Sequence, residues 1–284
     1  VEVTAMLALH PRAVSAVWAT IEPLLPERVD GHPLGCHRPR VPDRDCFEAI
    51  LFRLVTGCSW DVAGRLGKGS ETTLRRRRDE WIAAGVFDTI VDEALAGYDR
   101  IIGFDLSEVA IDASQHKAPF GGEGTGPNPT DRGKQGWKWS IATDRAGIPL
   151  GWEIDGANRH DFKLLEPTLD AVEGRGLHLD IQTFHLDRGY DNSVTRQLCT
   201  DLGIDDLIVA KRRRKPGSGR VKLAVPLGMR WPVERTNSWL SNYGQMRRNT
   251  DRFIHQRLAQ LALAITMIIT IKLIKWADRW SPAT

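Results

Sequence analysis

The sequence predicts two folded parts: an all-α region of helix-turn-helix type over residues 1–100, and an α/β region, a mixed sheet flanked by helices, over residues 101–284. Three observations carry this division. Up to Asp99 the apolar residues recur at helical spacing, beyond it strand-like runs alternate with helical ones, and the basic charge gathers toward the far end of the chain. With 284 residues, 42% of them hydrophobic, there is ample material for a core, and disordered or collagen-like readings fall away.

In the first part, residues 18–25 read as a short helix ended by Pro26, and a Gly/Pro/Arg-rich loop follows over residues 31–42. From Asp45, the spacing of Phe47, Ile50, Leu51, Leu54 and Val55 predicts a helix that stops at Gly57. A short segment over residues 60–66, a turn at Gly67 and Gly69, and Ser70 as N-cap lead into a further helix reaching Ala84. This is the outline of a helix-turn-helix, whose second helix enters the major groove. The first turns of that helix carry Thr72, Thr73, Arg75, Arg76, Arg77 and Arg78 as candidate DNA contacts, with Leu74 and Trp81 facing inward. A solvated arginine run on a helical bundle would give the same pattern.

In the second part, residues 108–114 read as a strand whose apolar run ends at Asp112, and a Gly/Pro/Asn/Asp-rich loop follows over residues 118–136. Residues 137–143 and 149–154 form a hairpin about the turn Asp144-Arg145-Ala146-Gly147. After a helix over 162–172, a short strand over 183–186 delivers Asp187. A helix (194–202) and a strand (207–210) come next. Two helices close the chain, over 233–246, with Glu234 in its first turn, and over 253–276. The apolar core of the last, residues 261–271, is about half of the ~20 residues a membrane span needs, so it reads as a buried helix and no membrane partner is expected.

Cys36, Cys46, Cys58 and Cys199 are scattered without a Cys-x-x-Cys pair, which fits neither a disulfide framework nor a zinc module. Residues 1–30 mix charges and prolines, unlike a secretory signal. A reducing, cytoplasmic setting is expected. Net charge is only +3, but between Lys211 and Arg257 thirteen Lys/Arg face only Glu234 and Asp251. Such a stretch attracts a polyanion and releases its condensed counterions. Lys134, Lys138, Lys211, Arg212 and Arg213 are candidate phosphate contacts.

Asp112 and Asp187 end strands, and Glu234 opens a helix within the basic stretch. In a mixed sheet the ends of neighbouring strands converge, and a packed helix supplies a third group from one side. Hard oxygen ligands suit Mg²⁺, and two such ions about 4 Å apart serve in-line displacement at phosphorus. Taken singly, Asp112 could cap a turn, Asp187 could accept backbone N–H groups, and Glu234 is favoured by the helix dipole.

Four segments, Val-Ala-Ile-Asp112-Ala-Ser, Gly156-Ala-Asn-Arg-His160-Asp161, His185-Leu-Asp187-Arg-Gly-Tyr190-Asp191 and Arg230-Trp-Pro-Val-Glu234-Arg-Thr-Asn, stand in an order that resembles the DDE transposases of bacterial insertion sequences, the IS-five branch of the IS-four superfamily. The resemblance covers nearly the whole chain. It implies a ribonuclease-H-like catalytic domain, including the C-terminal helices, after a DNA-binding region. Asp112, Asp187 and Glu234 would be its catalytic and metal-binding triad, holding two Mg²⁺ ions, with Mn²⁺ as a substitute. The superfamily signature of Tyr, Arg, Glu and Lys is only half kept: Arg230 is present, but Leu227 and Ser241 stand at the Tyr and Lys positions. Arg230, Arg235 and Arg247 are the expected substitutes for phosphate contact, and His160 and Tyr190 the expected supports behind the triad. The implied activity is cleavage at the element's terminal inverted repeats and joining to target duplex, by a homodimer or larger synaptic assembly. An inactive end-binding repressor, or a nuclease of the same fold without strand transfer, shares these residues.

Overall fold

The computed structural model describes residues 7–27, 40–66, 69–204, 206–209 and 228–280. They divide into two compact units: residues 102–117 with 124–238, and residues 1–101 with 118–123 and 239–284. The second unit is helical. It begins with α1 (Pro11–Ile21), α2 (Asp43–Thr56), α3 (Trp60–Gly64), α4 (Glu71–Ala83) and α5 (Val86–Ile101). The serine hydroxyls of Ser59 and Ser70 accept from the backbone N–H of Val62 and Thr73, so each closes the open end of the helix it precedes. Helix α1 starts seven residues earlier than the sequence spacing predicts, because Pro11 at a first helical position lacks only an N–H that has no partner there anyway.

The other unit is built on one sheet of β1 (Glu108–Lys117), β2 (Gly126–Pro127), β3 (Gln135–Thr143), β4 (Pro149–Gly156), β5 (Thr183–Leu186) and β6 (Asp206–Val209). The main strands run β4-β3-β1-β5-β6, with the two-residue β2 also paired to β3. The β1–β3 and β3–β4 pairs are antiparallel, whereas β1–β5 and β5–β6 are parallel. This is the mixed sheet expected above. Helix α6 (Leu165–Glu173) lies on β4, where Gly151 leaves room for Val172: a Cβ there would stand 2.6 Å from its methyl. Val109, Ile111, Leu150, Leu169, Phe184 and Leu186 fill the core between them. Helix α7 (Ser193–Asp201) joins β5 to β6, and α8 (Trp231–Ser241) carries Glu234.

The single helix expected over 233–246 is broken into α8 and α9 (Gly244–Arg247). Gly244 meets the backbone of Gly57 so closely that a Cβ would lie 2.4 Å from the Gly57 nitrogen, and this contact fixes a turn before it. The closing helix α10 (Ile254–Trp280) is long and apolar enough to cross a membrane, yet its middle is buried against α1 and α5. It packs within the helical unit, because a helix apolar all round needs apolar faces, and α1 and α5 present them.

Asp251 ties this unit together. It lies 3.1 Å from Arg53 and 2.7 Å from Arg78 and also accepts from Gln260, all of them buried. Burial alone would raise its carboxyl, but the two guanidiniums overcome that and hold it below the usual carboxylate value. Arg53 and Arg78 also stand over the Trp60 ring, at 4.1 and 4.9 Å. Replacing Asp251 by Asn leaves two buried cations short of a counter-charge and is expected to cost about 3–5 kcal/mol in urea denaturation. A loss below about 1 kcal/mol would show the pairs to be dispensable.

Candidate active site

The parallel β1–β5 ladder pairs Glu108 with Thr183, Val109 with Phe184 and Ala110 with His185. The same register brings Asp187, the first residue after β5, toward Asp112, on whose carboxyl its charge acts. Asp187 is half-buried and caps a 3-10 turn over Arg188–Tyr190, accepting from the Gly189 N–H at 2.5 Å. Glycine there leaves space for the carboxylate, since a Cβ would come within 2.8 Å of Asp187 Oδ1. Burial pushes the Asp112 carboxyl up to about 6, Arg230 pulls it down and Asp187 pushes it further up.

The third acid comes from α8. Pro232 in its first turn favours the helix start, and Glu234 sits where the N-terminal end of the dipole accepts negative charge. The helix is fastened to the β3–β4 turn: Thr236 donates to the Gly147 carbonyl at 2.6 Å, and Arg235 donates to that of Ala146. Gly147, at φ +74°, leaves no room for a side chain, because a Cβ would lie 2.9 Å from Arg235 Nη2. Arg230 Nη2 stands between the acids, 3.7 Å from Asp112 Oδ1 and 3.3 Å from Glu234 Oε1. Asn237, one turn beyond Glu234, donates from Nδ2 to Asp112 Oδ2 at 3.2 Å and accepts from Trp139 Nε1 at 2.8 Å. Sequence reasoning did not single out Asn237; its signal is the spacing of three from Glu234, which places both on one helical face.

The structure also missorts little but moves several expected contacts. Lys138 is buried and its ammonium is held by Asp161 and the Arg159 carbonyl, so it is not a phosphate contact. Arg78 and Arg77 are likewise buried, Arg78 against Asp79 and Asp251 and Arg77 against Asp43. Arg235 lies over the Trp231 ring at 4.2 Å and anchors α8. Thr72, Arg75 and Arg76 remain exposed on α4, Arg75 and Arg76 in salt bridges with Glu71 and Glu80, while the Thr73 hydroxyl is engaged with Ser70. Lys134 and Arg247 are exposed. Lys211, Arg212 and Arg213 lie outside the described residues, as do Leu227, Cys36 and Gly67.

Tyr190 is fully buried, its hydroxyl near Ser140 but without a full hydrogen bond among the described residues; burial and the charges of Asp161, Asp112 and Asp187 push it well above its ordinary value. That places it near the acids. His160 is exposed and stacks on Phe162, and its side chain caps nothing. His185, buried on β5, accepts the Met229 N–H on Nδ1 and so pins the segment leading into Arg230.

With one acid within β1, a second directly after β5 and a third on a packed helix, the chain matches the family described as "Transposase DDE domain" over residues 103–269. It belongs to the DDE transposases. A second match of this transposase, over residues 15–91, is to the family described as "Putative transposase of IS4/5 family". It is 41% identical over 133 residues to the "Putative transposase for insertion sequence element IS402" of Burkholderia cepacia, covering 45% of this chain and 60% of that relative, so less than two thirds of the relative's length is matched. An "Insertion element IS402 uncharacterized 16.2 kDa protein" from the same organism is 36% identical over 40% of this chain and 78% of its own length. Among solved structures, a pre-cleavage Mos1 transpososome is similar at 11% identity over 89% of this chain and 80% of that chain (TM-score 0.34). The Mos1 strand transfer complex is similar at 12% identity, 98% and 94% (TM-score 0.35). Both are distant in shape.

The donor set of this DDE transposase fits a hard divalent cation: three carboxylates, with Asp112 held above its ordinary pKa by burial and by the nearby charge of Asp187. Among the described residues no three His, Cys, Asp or Glu side chains already form a closed cage. Arg230 supplies the local positive charge, and Glu234 is exposed and able to swing.

The raised Asp112 has a measurable consequence. Its unfolded value is the ordinary 3.8 and its folded value about 6, so the metal-free fold loses stability as pH rises through that window and none further above it. Asp112→Asn is therefore expected to stabilise the metal-free protein at pH 8 by about 1–3 kcal/mol and to flatten that slope, read by urea denaturation in EDTA from pH 4.5 to 8. An unchanged or lower stability at pH 8 would show that the carboxylate is not strained.

Proposed function

We propose that this chain is a transposase that binds the ends of an insertion sequence and, with divalent metal, cuts and joins DNA strands. The observation that carries this reading is the shared setting of the acids: Asp112 within β1 feels the charge of Asp187, which directly follows the parallel β5, and Glu234 faces Asp112 across Arg230. Asp112, Asp187 and Glu234 would hold two Mg²⁺ ions, with Mn²⁺ as a substitute, and the ions would supply the charge that favours attack and departure of oxygen at phosphorus. In the first step water bonds to the phosphorus at the element's end and the P–O3′ bond breaks, leaving a 3′-hydroxyl. In the second that hydroxyl bonds to a target-strand phosphorus and displaces the target's own 3′-oxygen.

The chain's own residues do the rest. Arg230 neutralises the acids before a phosphate backbone approaches and is placed to turn toward it. Exposed Thr72, Arg75 and Arg76 at the start of α4 supply duplex contacts for the helical unit, and Lys134, Arg247 and the basic stretch from Lys211 add counterion-releasing charge. The partners are the terminal inverted repeats and target duplex. A homodimer or larger synaptic assembly brings the two ends together, in the bacterial cytoplasm where that DNA lies.

The test uses purified full chain, Mg²⁺ and duplexes taken from the DNA flanking the coding region. Nicking at one duplex end followed by joining is expected. Asp187→Asn and Glu234→Gln should each reduce nicking by about 10²-fold or more while leaving duplex affinity unchanged. Binding without nicking would favour an end-binding repressor, nicking without joining a nuclease, and loss of binding in Asp187→Asn a structural role for that acid. Separately, Arg75→Ala and Arg76→Ala are each expected to weaken duplex binding and to lower the slope of log affinity against log salt by about 1. Unchanged slopes would remove α4 from the interface.

A further inference from the structure

The geometry points to Asn237 as a positioning residue that fixes the Asp112 carboxylate and the spacing between Asp112 and Glu234. This inference rests on the active-site reading above and goes beyond it, because Asn237 is neither an acid nor a basic phosphate contact.

The argument begins at Trp139, in the middle of β3 and fully buried. An indole N–H only donates, so its 2.8 Å bond to Asn237 must end on the amide oxygen. That removes the usual ambiguity of an amide: the Nδ2 group is turned the other way, where it donates to Asp112 Oδ2 at 3.2 Å. Asn237 is itself 7% exposed, so solvent does not compete for these bonds. The donor is neutral, and it orients one oxygen of Asp112 without cancelling its charge. The other oxygen, Oδ1, is left facing Arg230.

The same bond does a second thing. Asn237 and Glu234 lie three residues apart on α8, on one face of the helix. A hydrogen bond from Asn237 to β1 therefore sets the position of the helix that carries the third acid against the strand that carries the first. Thr236 and Arg235 fasten α8 to the β3–β4 turn, and Asn237 ties it by a hydrogen bond to a ligand carboxylate, beside the looser ion pairs that Arg230 makes with Asp112 and Glu234. Removing the amide frees both the rotation of Asp112 and the register of Glu234.

The test is direct binding of Mn²⁺ to the full chain, by titration calorimetry without DNA. Asn237→Ala is expected to weaken binding by about 10-fold or more. Trp139→Phe, which removes the indole N–H and keeps an aromatic ring, should weaken it less, and the double variant should bind no more weakly than Asn237→Ala alone, because Trp139 acts through the amide. Should Asn237→Ala fail to fold, Asn237→Ser and Trp139→Phe carry the same comparison. Wild-type Mn²⁺ affinity in the Asn237 variant, alongside its loss in Asp112→Asn, would overturn the positioning role and leave the active-site reading standing. Wild-type affinity in both would overturn the two together. Equal further loss from Trp139→Phe in either background would break the relay.

Discussion

The site depends on a buried carboxylate, Asp112 in β1, held near a second one, Asp187, which directly follows the neighbouring parallel strand β5. Asp112 feels burial first and the charge of Asp187 as well, and the two together keep its proton affinity high. Among the described residues the cation at Asp112 is Arg230, which stands off at 3.7 Å and is shared with Glu234. A site that holds like charges close with only one loosely shared cation is set up to take up positive charge from outside.

A contrast within the molecule makes the point. Asp251 is also buried, but two guanidiniums reach it directly and its carboxyl falls below the ordinary value. The same residue type, about equally hidden, therefore serves opposite ends: Asp251 closes a structural network, and Asp112 is left with unmet demand. Number and closeness of cations, and not burial itself, separate the two.

Part of the site was legible in the sequence: Asp187 directly follows β5, where its apolar run stops, whereas β1 does not end at Asp112 as expected but continues to Lys117, because it stays paired with β3. Strand β5 begins and ends where the sequence spacing puts it, at Thr183 and Leu186. The turn Asp144–Gly147 marked the hairpin, and the acid of α8 followed from its place in a first turn. Charge counting served less well. A run of four arginines reads as a solvated face, yet Arg77 and Arg78 turn inward to acids at Asp43 and Asp251, one of them 173 residues away. Lys138 is expected at a phosphate backbone, but Asp161 and a backbone carbonyl draw it into the fold. Local spacing reports which face a residue is on, and it carries no information about a partner supplied by a distant segment. For the same reason the packing of α10 follows from the apolar faces of α1 and α5.

The most direct measurement is anomalous scattering from crystals of the full chain grown with Mn²⁺. The account predicts manganese bound among Asp112, Asp187 and Glu234, with the Arg230 guanidinium withdrawn from between them. Manganese peaks elsewhere only, with Arg230 still bridging Asp112 and Glu234 at saturating metal, would contradict it.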